Sequence, residues 1–162
     1  ASLNGNRDRA VKIAASAVAT DSLSLHARRD PLWLSAVELS AKKAYAQASV
    51  TPQDIDLFEV HDAFSIMSVM SLEAAGFAGR GRGAYLAREN EITPKGKLPL
   101  STMGGLKARG HPVGATGVYQ AVEAVTQLRG EAGKNQVIDA RVAMTQSLGG
   151  VAANAGTHIF TN

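Results

Sequence analysis

An α/β fold, a mixed β-sheet covered by helices, is what this sequence predicts, and three observations carry the prediction. Runs rich in small and β-branched residues alternate with stretches of helical periodicity along most of the chain. Two apolar runs near the C-terminus, separated by Gly149-Gly150, read as adjacent strands joined by a tight turn. The resulting order, β-α-β-α-loop-α-β-β, interleaves helices with strands, which places helices against the faces of one sheet.

Val11–Thr20 (VKIAASAVAT) reads as a buried strand. Asp30-Pro31 supplies an N-cap followed by a first-turn proline, and from Trp33 to Ala48 the residues Trp33, Ala36, Val37, Ala44 and Ala48 recur at helical spacing. Thr51–Asp54 turns the chain into a second strand, Ile55–Val60. Ser65–Ala75 is a second helix, ended by Gly76 as a C′ glycine. Gly79–Gly83 (GRGRG) follows a helix, whereas a dinucleotide fingerprint requires strand, glycines and helix in that order, so it is assigned to a loop. Asn90–Leu100, with Pro94, Gly96 and Pro99, forms a further loop. A third helix is expected from Gly114 to Arg129, then a polar turn at Glu131–Gln136, then strands Val137–Gln146 and Asn154–Phe160.

A chain of 162 residues fits one domain, here residues 1–162, or a compact half of a larger enzyme. Hydrophobic content of 45% against 19% charged residues describes a globular core and not a disordered segment. The absence of cysteine excludes a disulfide framework, a thiolate zinc site and a cysteine nucleophile within the chain. No apolar run approaches the roughly 20 residues of a membrane span, and no signal segment opens the chain, so a cytoplasmic protein is expected. The chain begins at Ala1 and not Met, which points to processing or to a boundary inside a longer protein.

The net charge of +3 comes with basic pairs Arg7/Arg9, Arg28/Arg29, Arg80/Arg82 and Lys95/Lys97, read as solvated loops. Aromatics at 5% are too sparse to interleave with these for nucleic-acid binding. Lys107 and Arg109 suit a small anionic ligand, such as a phosphorylated cofactor, better. His26 and His158 show no metal-ligand spacing, and no metal site is expected.

The densest chemistry lies in Gly104–Gly117, where one imidazole, His111, sits among Gly104, Gly105, Gly110, Gly114 and Gly117. Glycine permits positive φ and close backbone approach, which suits a reactive group held against a ligand. His61 stands at the end of a strand, followed by Asp62, Ala63 and Phe64. Ser147 and Gly149 stand where a later strand runs into glycine, and Ser147 lacks the Gly-x-Ser-x-Gly setting of a serine nucleophile.

Taken together, Glu59-Val-His-Asp-Ala-Phe64, the glycine-rich block ending Gly110-His-Pro-Val-Gly-Ala-Thr-Gly117, and Ser147-Leu-Gly-Gly150 resemble the C-terminal half of a thiolase. The likeness runs from Val11 to Phe160 and is greatest to the sterol-carrier-type and archaeal acetoacetyl-CoA thiolases. It implies a thiolase-like C-terminal domain and a nucleophilic cysteine supplied by an N-terminal half. His111 would be the base that activates this cysteine, and would donate to a thioester oxygen. His61, where better-known thiolases have asparagine, would help form an oxyanion hole, and the Gly149 amide would contribute to a second. Fixed donors at such positions stabilise a developing oxyanion by roughly 3–4 kcal/mol each. Ala63 and Phe64 would line the acyl pocket, and Gly114 and Ala115 would contact substrate. Coenzyme A thioesters would be the substrates, with no further cofactor, and the complete enzyme would be a homodimer.

Two departures from the family pattern are visible. Ser147 stands where thiolases commonly carry a second acid/base cysteine, and Ala63 where the sterol-carrier type carries one. Either His61 or Ser147 would then have to replace that group. Ser101-Thr102-Met103 replaces an Asn-Pro-Ser-like triplet. Three readings follow: half or subunit of a thiolase-like acyltransferase, inert by itself; a thiol-less retro-aldolase or a non-catalytic subunit paired with a small OB-fold protein; and a basic nucleic-acid binder, which rests on the isoelectric point of about 9.4 alone.

Overall fold

The computed structural model describes residues 9–162, so Arg7 lies outside the described residues. Four strands form one mixed sheet in the order β1-β4-β3-β2, with β1 at Lys12–Thr20, β2 at Leu57–Glu59, β3 at Val142–Gly149 and β4 at Asn154–Thr161. The hairpin β3–β4 and the pair β1–β4 are antiparallel, while β2 runs parallel to β3, with Phe58 opposite Met144. The parallel pair is possible because a long helical excursion separates its strands in sequence.

Alternation along the strands divides the core in two. Phe58, Val60, Met144 and Ile159 face one side, where α1 (Ser35–Ala48) lays down Val37, Ala41 and Ala44. Leu57, Ala143 and Phe160 face the other, against Ala124 and Leu128 of α5 (Thr116–Leu128). Leu57 and Phe58, both fully buried, each contribute roughly 1.5–3 kcal/mol by leaving water. Three shorter helices, α2 (Ser65–Ala74), α3 (Gly83–Arg88) and α4 (Gly105–Arg109), lie in the excursion between β2 and α5. Among the described residues no helix is long and apolar enough to cross a membrane.

The expected order of elements holds, and its boundaries move for local reasons. Asp30-Pro31 does not start α1. The Asp30 side chain accepts the Leu32 amide at 2.9 Å and its carbonyl accepts that of Trp33, making a separate turn before the helix begins at Ser35. The strand expected from Val137 begins only at Val142. Asp139 takes φ +55°, and the Val137 amide is claimed by the Gln127 side chain at 2.8 Å, so residues 137–141 cannot join the ladder. The second strand is confined to Leu57–Glu59, and α5 begins at Thr116, after a single 3-10 turn at Val113–Ala115. Helices α3 and α4 occupy stretches for which no helix is expected from the sequence.

Gly76, at φ +89°, closes α2 as a C′ glycine. The buried Glu73 carboxylate accepts the amides of Gly81 and Gly83, both at 2.9 Å, and the Arg82 amide donates to the Gly79 carbonyl, so these three N–H groups are not free to hold a phosphate.

Candidate active site

The C-terminal end of β2 delivers His61 to one side of the sheet, and the glycine-rich segment brings His111 back to meet it. The imidazole rings stand edge to face, 5.0 Å between centroids and at 88°. Gly110 makes this approach possible. Its φ of +115° reverses the chain after α4 in a conformation that side-chain-bearing residues rarely adopt.

Each ring is tied down by one nitrogen. His61 is buried, and its Nδ1 accepts the Leu148 amide at 3.3 Å. Burial first, and then the neighbouring His111, hold His61 below the ordinary histidine range, while Asp62 opposes them. His111 Nδ1 lies 2.6 Å from the hydroxyl of Thr116, a buried residue at the first turn of α5. Asp62 accepts the Leu106 amide at 2.7 Å, which fastens the start of α4 beside the strand end that carries His61.

Between the histidines and the β3–β4 turn lies a cleft of about 420 Å³. His61, His111, Ala63, Phe64 and Gly149 all line it, so five residues singled out in the sequence converge from three separate segments. The remaining wall is apolar and includes Met67, Leu106, Val113 and Leu148. Ser147, Gly114 and Ala115 are not among the lining residues. Ser147 packs instead against the start of α5, where a Cβ on Gly117 would stand 3.5 Å from its Oγ. Gly114 and Ala115 occupy the exposed turn before α5, directly after Val113, which lines the cleft.

Two further features are not legible from spacing. Arg28, one of the basic residues read as a solvated loop, is buried and donates to the carbonyls of Ser22 and Val151, at 2.8 and 2.9 Å, pinning the turn that forms one wall of the cleft. Behind His61 a charged cluster fills the space between β2, α4 and α5. Glu123 pairs with Arg109, and Glu59 lies against Glu123 while accepting the Thr102 amide at 3.1 Å. Burial and the adjacent Glu123 push the Glu59 carboxyl up to about 9, opposed by the Thr102 amide and Arg109. The triplet Ser101-Thr102-Met103 thereby has a structural role: Thr102 donates its amide to Glu59, and its hydroxyl accepts from the Gln127 side chain at 2.8 Å. Among the described residues no group of three or more histidine and carboxylate side chains is placed to hold a metal ion.

Comparison with known proteins matches this arrangement to a family model described as thiolase C-terminal domain-like over residues 17–162. An acetyl-CoA acetyltransferase of Methanothermobacter thermautotrophicus is 46% identical over 154 residues, covering 95% of this chain and 40% of that protein. Human sterol carrier protein 2 is 40% identical over 148 residues, covering 90% of this chain and 27% of that protein. Among solved structures, an Ltp2-ChsH2(DUF35) aldolase superposes with a TM-score of 0.83 at 23% identity, covering 93% of this chain and 39% of that one. A monomeric SCP2-thiolase like protein from Mycobacterium smegmatis does so at 0.67 and 20%, covering 93% and 29%. At those identities the two structures speak for the fold alone. The chain thus spans well under half the length of each of these relatives.

Proposed function

The chain belongs to the thiolase C-terminal domain-like family, and from that premise we propose that it is the C-terminal half or subunit of an acyl-CoA acyltransferase, acting with a cysteine nucleophile held in an N-terminal half. The observation that carries this reading is the edge-to-face pair His61–His111 on the wall of an apolar cleft that also contains Gly149.

In thiolysis of a 3-oxoacyl-CoA, His111 takes the proton of the cysteine thiol. The thiolate adds to the 3-oxo carbon, whose oxygen becomes an oxyanion. Collapse breaks the C2–C3 bond, leaving an acyl group on the cysteine and an acetyl-CoA carbanion, which takes up the proton that His111 removed from the thiol. Free CoA then takes the acyl group. With Nδ1 directed to Thr116, the other nitrogen of His111 is left to exchange the proton. His61 has its Nδ1 occupied as an acceptor, so the neutral ring carries hydrogen on Nε2 and serves as an oxyanion donor. Ser147 packs beside Gly117 at the start of α5, and its hydroxyl forms an anion far less readily than the thiol it replaces. Ala63 and Phe64 provide an apolar wall for the acyl group.

An exposed stripe on α5, formed by Val118, Tyr119 and Val122, supports the existence of a covering half. Thiolysis is tested by mixing the complete protein with acetoacetyl-CoA and CoA. Acetyl-CoA formation that H111A reduces at least a hundredfold is the expected result, given the 10²–10⁴-fold contribution of acid–base catalysis. Retention of a tenth of the activity by H111A would remove the role assigned to that residue.

A second reading is favoured by one observation. Neither Ser147 nor Ala63 supplies a thiol, and carbon–carbon cleavage by a retro-aldol route needs no acyl-enzyme. The aldolase among the structural neighbours, itself an assembly with a DUF35 component, motivates testing this chain for a small OB-fold partner. Release of an aldehyde or ketone from a 3-hydroxyacyl-CoA, with no acetyl-CoA from acetoacetyl-CoA, would select this route.

A further inference from the structure

We propose that Arg109, Glu123 and Glu59 form a buried tether that sets where His111 stands relative to His61, making them positioning residues for the reaction assigned above, on which this inference rests. Glu59 precedes His61 by two residues on the same strand end, and Arg109 precedes His111 by two. Both reach Glu123 on α5. The cluster therefore joins the two segments that carry the histidines to one helix.

Arg109 makes three contacts across this cluster. Its Nε meets the Glu123 carboxylate, its guanidinium lies 4.9 Å from the Tyr119 ring centroid, and its Nη1 donates to the Gly110 carbonyl at 3.4 Å. One side chain thus grips α5 twice and holds the peptide that leads into His111. Gly110 has little else to fix it. No heavy atom lies within 4 Å of where its Cβ would stand, and besides Arg109 its anchor is its own amide on the Leu106 carbonyl at 3.1 Å.

On the other side, Glu59 is continuous with His61 and is fully buried. Glu59 Oε2 and both Glu123 carboxyl oxygens are enclosed without an N–H or O–H donor in hydrogen-bonding geometry. Two carboxyl groups facing one guanidinium leave one excess negative charge. A single proton held on Glu59 and donated to Glu123 removes that excess and closes the cluster. None of the three residues lines the cleft, so they act through the histidines and not on substrate.

The test uses the complete protein with R109M/E123L, which removes both charges of the ion pair while conserving volume, and with R109K, which keeps a cation but loses the planar fork. The imidazole signals of His61 and His111 are followed by NMR, and kcat and KM for acetoacetyl-CoA thiolysis are measured alongside. The double variant is expected to stay folded, to shift the His111 signals as the edge-to-face contact is lost, and to lower kcat roughly 10- to 100-fold with KM within about threefold, the cost of a displacement on the order of 1 Å. R109K should recover part of both. Wild-type imidazole spectra in a folded double variant would overturn the tether, whatever the activity. Should that variant not fold, the same spectra of R109K decide, and unmoved His111 signals would overturn it. Absence of thiolysis in the wild-type protein would instead refute the assigned reaction and leave the spectra to judge the tether.

Discussion

His61 accepts the backbone N–H of Leu148 through Nδ1, and this contact assigns its hydrogen to Nε2. Because burial and His111 keep the ring below the ordinary histidine range, it stays neutral near pH 7. A neutral ring held this way has its Nε2–H free of that contact, the form expected of an oxyanion donor. H61N, which keeps a donor, is expected to retain kcat within about tenfold, while H61A should lose about 10²–10³-fold. Steady-state thiolysis by the complete protein checks this, and equal losses in the two variants would contradict a donor role.

Stability against pH should carry opposite contributions from His61 and Glu59. The folded state lowers the His61 pKa, so its contribution is present above the unfolded value of about 6.5 and is lost as pH falls through the folded value. The folded state raises the Glu59 pKa to about 9, so its contribution is full below the unfolded carboxylate range and is lost as pH rises toward that value. E59Q keeps a donor for Glu123 but cannot ionise. It should flatten the decline between about pH 5 and 9, whose slope for one proton is at most about 1.4 kcal/mol per pH unit. Urea titrations across that range measure it, and an unchanged slope in E59Q would show that Glu59 is already ionised.

Gly105 should tolerate no side chain. Its φ is +61°, and a Cβ there would stand 2.5 Å from the Asp62 carboxylate. Asp62 would have to move and release the Leu106 amide. G105A is therefore expected to cost about 1–3 kcal/mol of stability and to disturb the neighbouring His61. Gly114, where a Cβ would meet nothing within 4 Å and φ is not positive, is the control. G114A should leave the thermal midpoint within a few degrees.

The apolar stripe of α5 gives a test that separates the chain from its assembly. Val122 is 58% exposed. V122E should change the stability of residues 1–162 by no more than about 0.5 kcal/mol, as for an ordinary surface substitution. In the complete protein it should lower the melting temperature, because a charge would be buried against the covering half. Calorimetry of both forms checks this, and no difference between them would leave the stripe solvent-facing in the assembly.

Much of the fold was legible because local signals and tertiary packing agree. Gly76 was readable as a helix end, since the left-handed C′ position is a local demand. The periodic Ala36, Val37 and Ala44 marked a buried helix face that the sheet indeed covers. Boundaries failed where a side chain competed for backbone groups. Asp30 formed its own turn, and Gln127 claimed the Val137 amide that a longer β3 would have needed. Neither competition leaves a mark in hydrophobic period.

The sequence by itself determined the family, the two histidines and the glycines around one of them, because residue type and spacing carry that information directly. Tertiary structure alone decided that His61, His111 and Gly149 share a cleft, since it brings three segments far apart in sequence to one end of the sheet. It also made internal fastenings of Arg28, which read as solvated, and of Arg109, which read as suited to an anionic ligand and is paired instead with Glu123. Charge is a property of the residue. Whether it meets water or a buried partner depends on which segments the fold brings together.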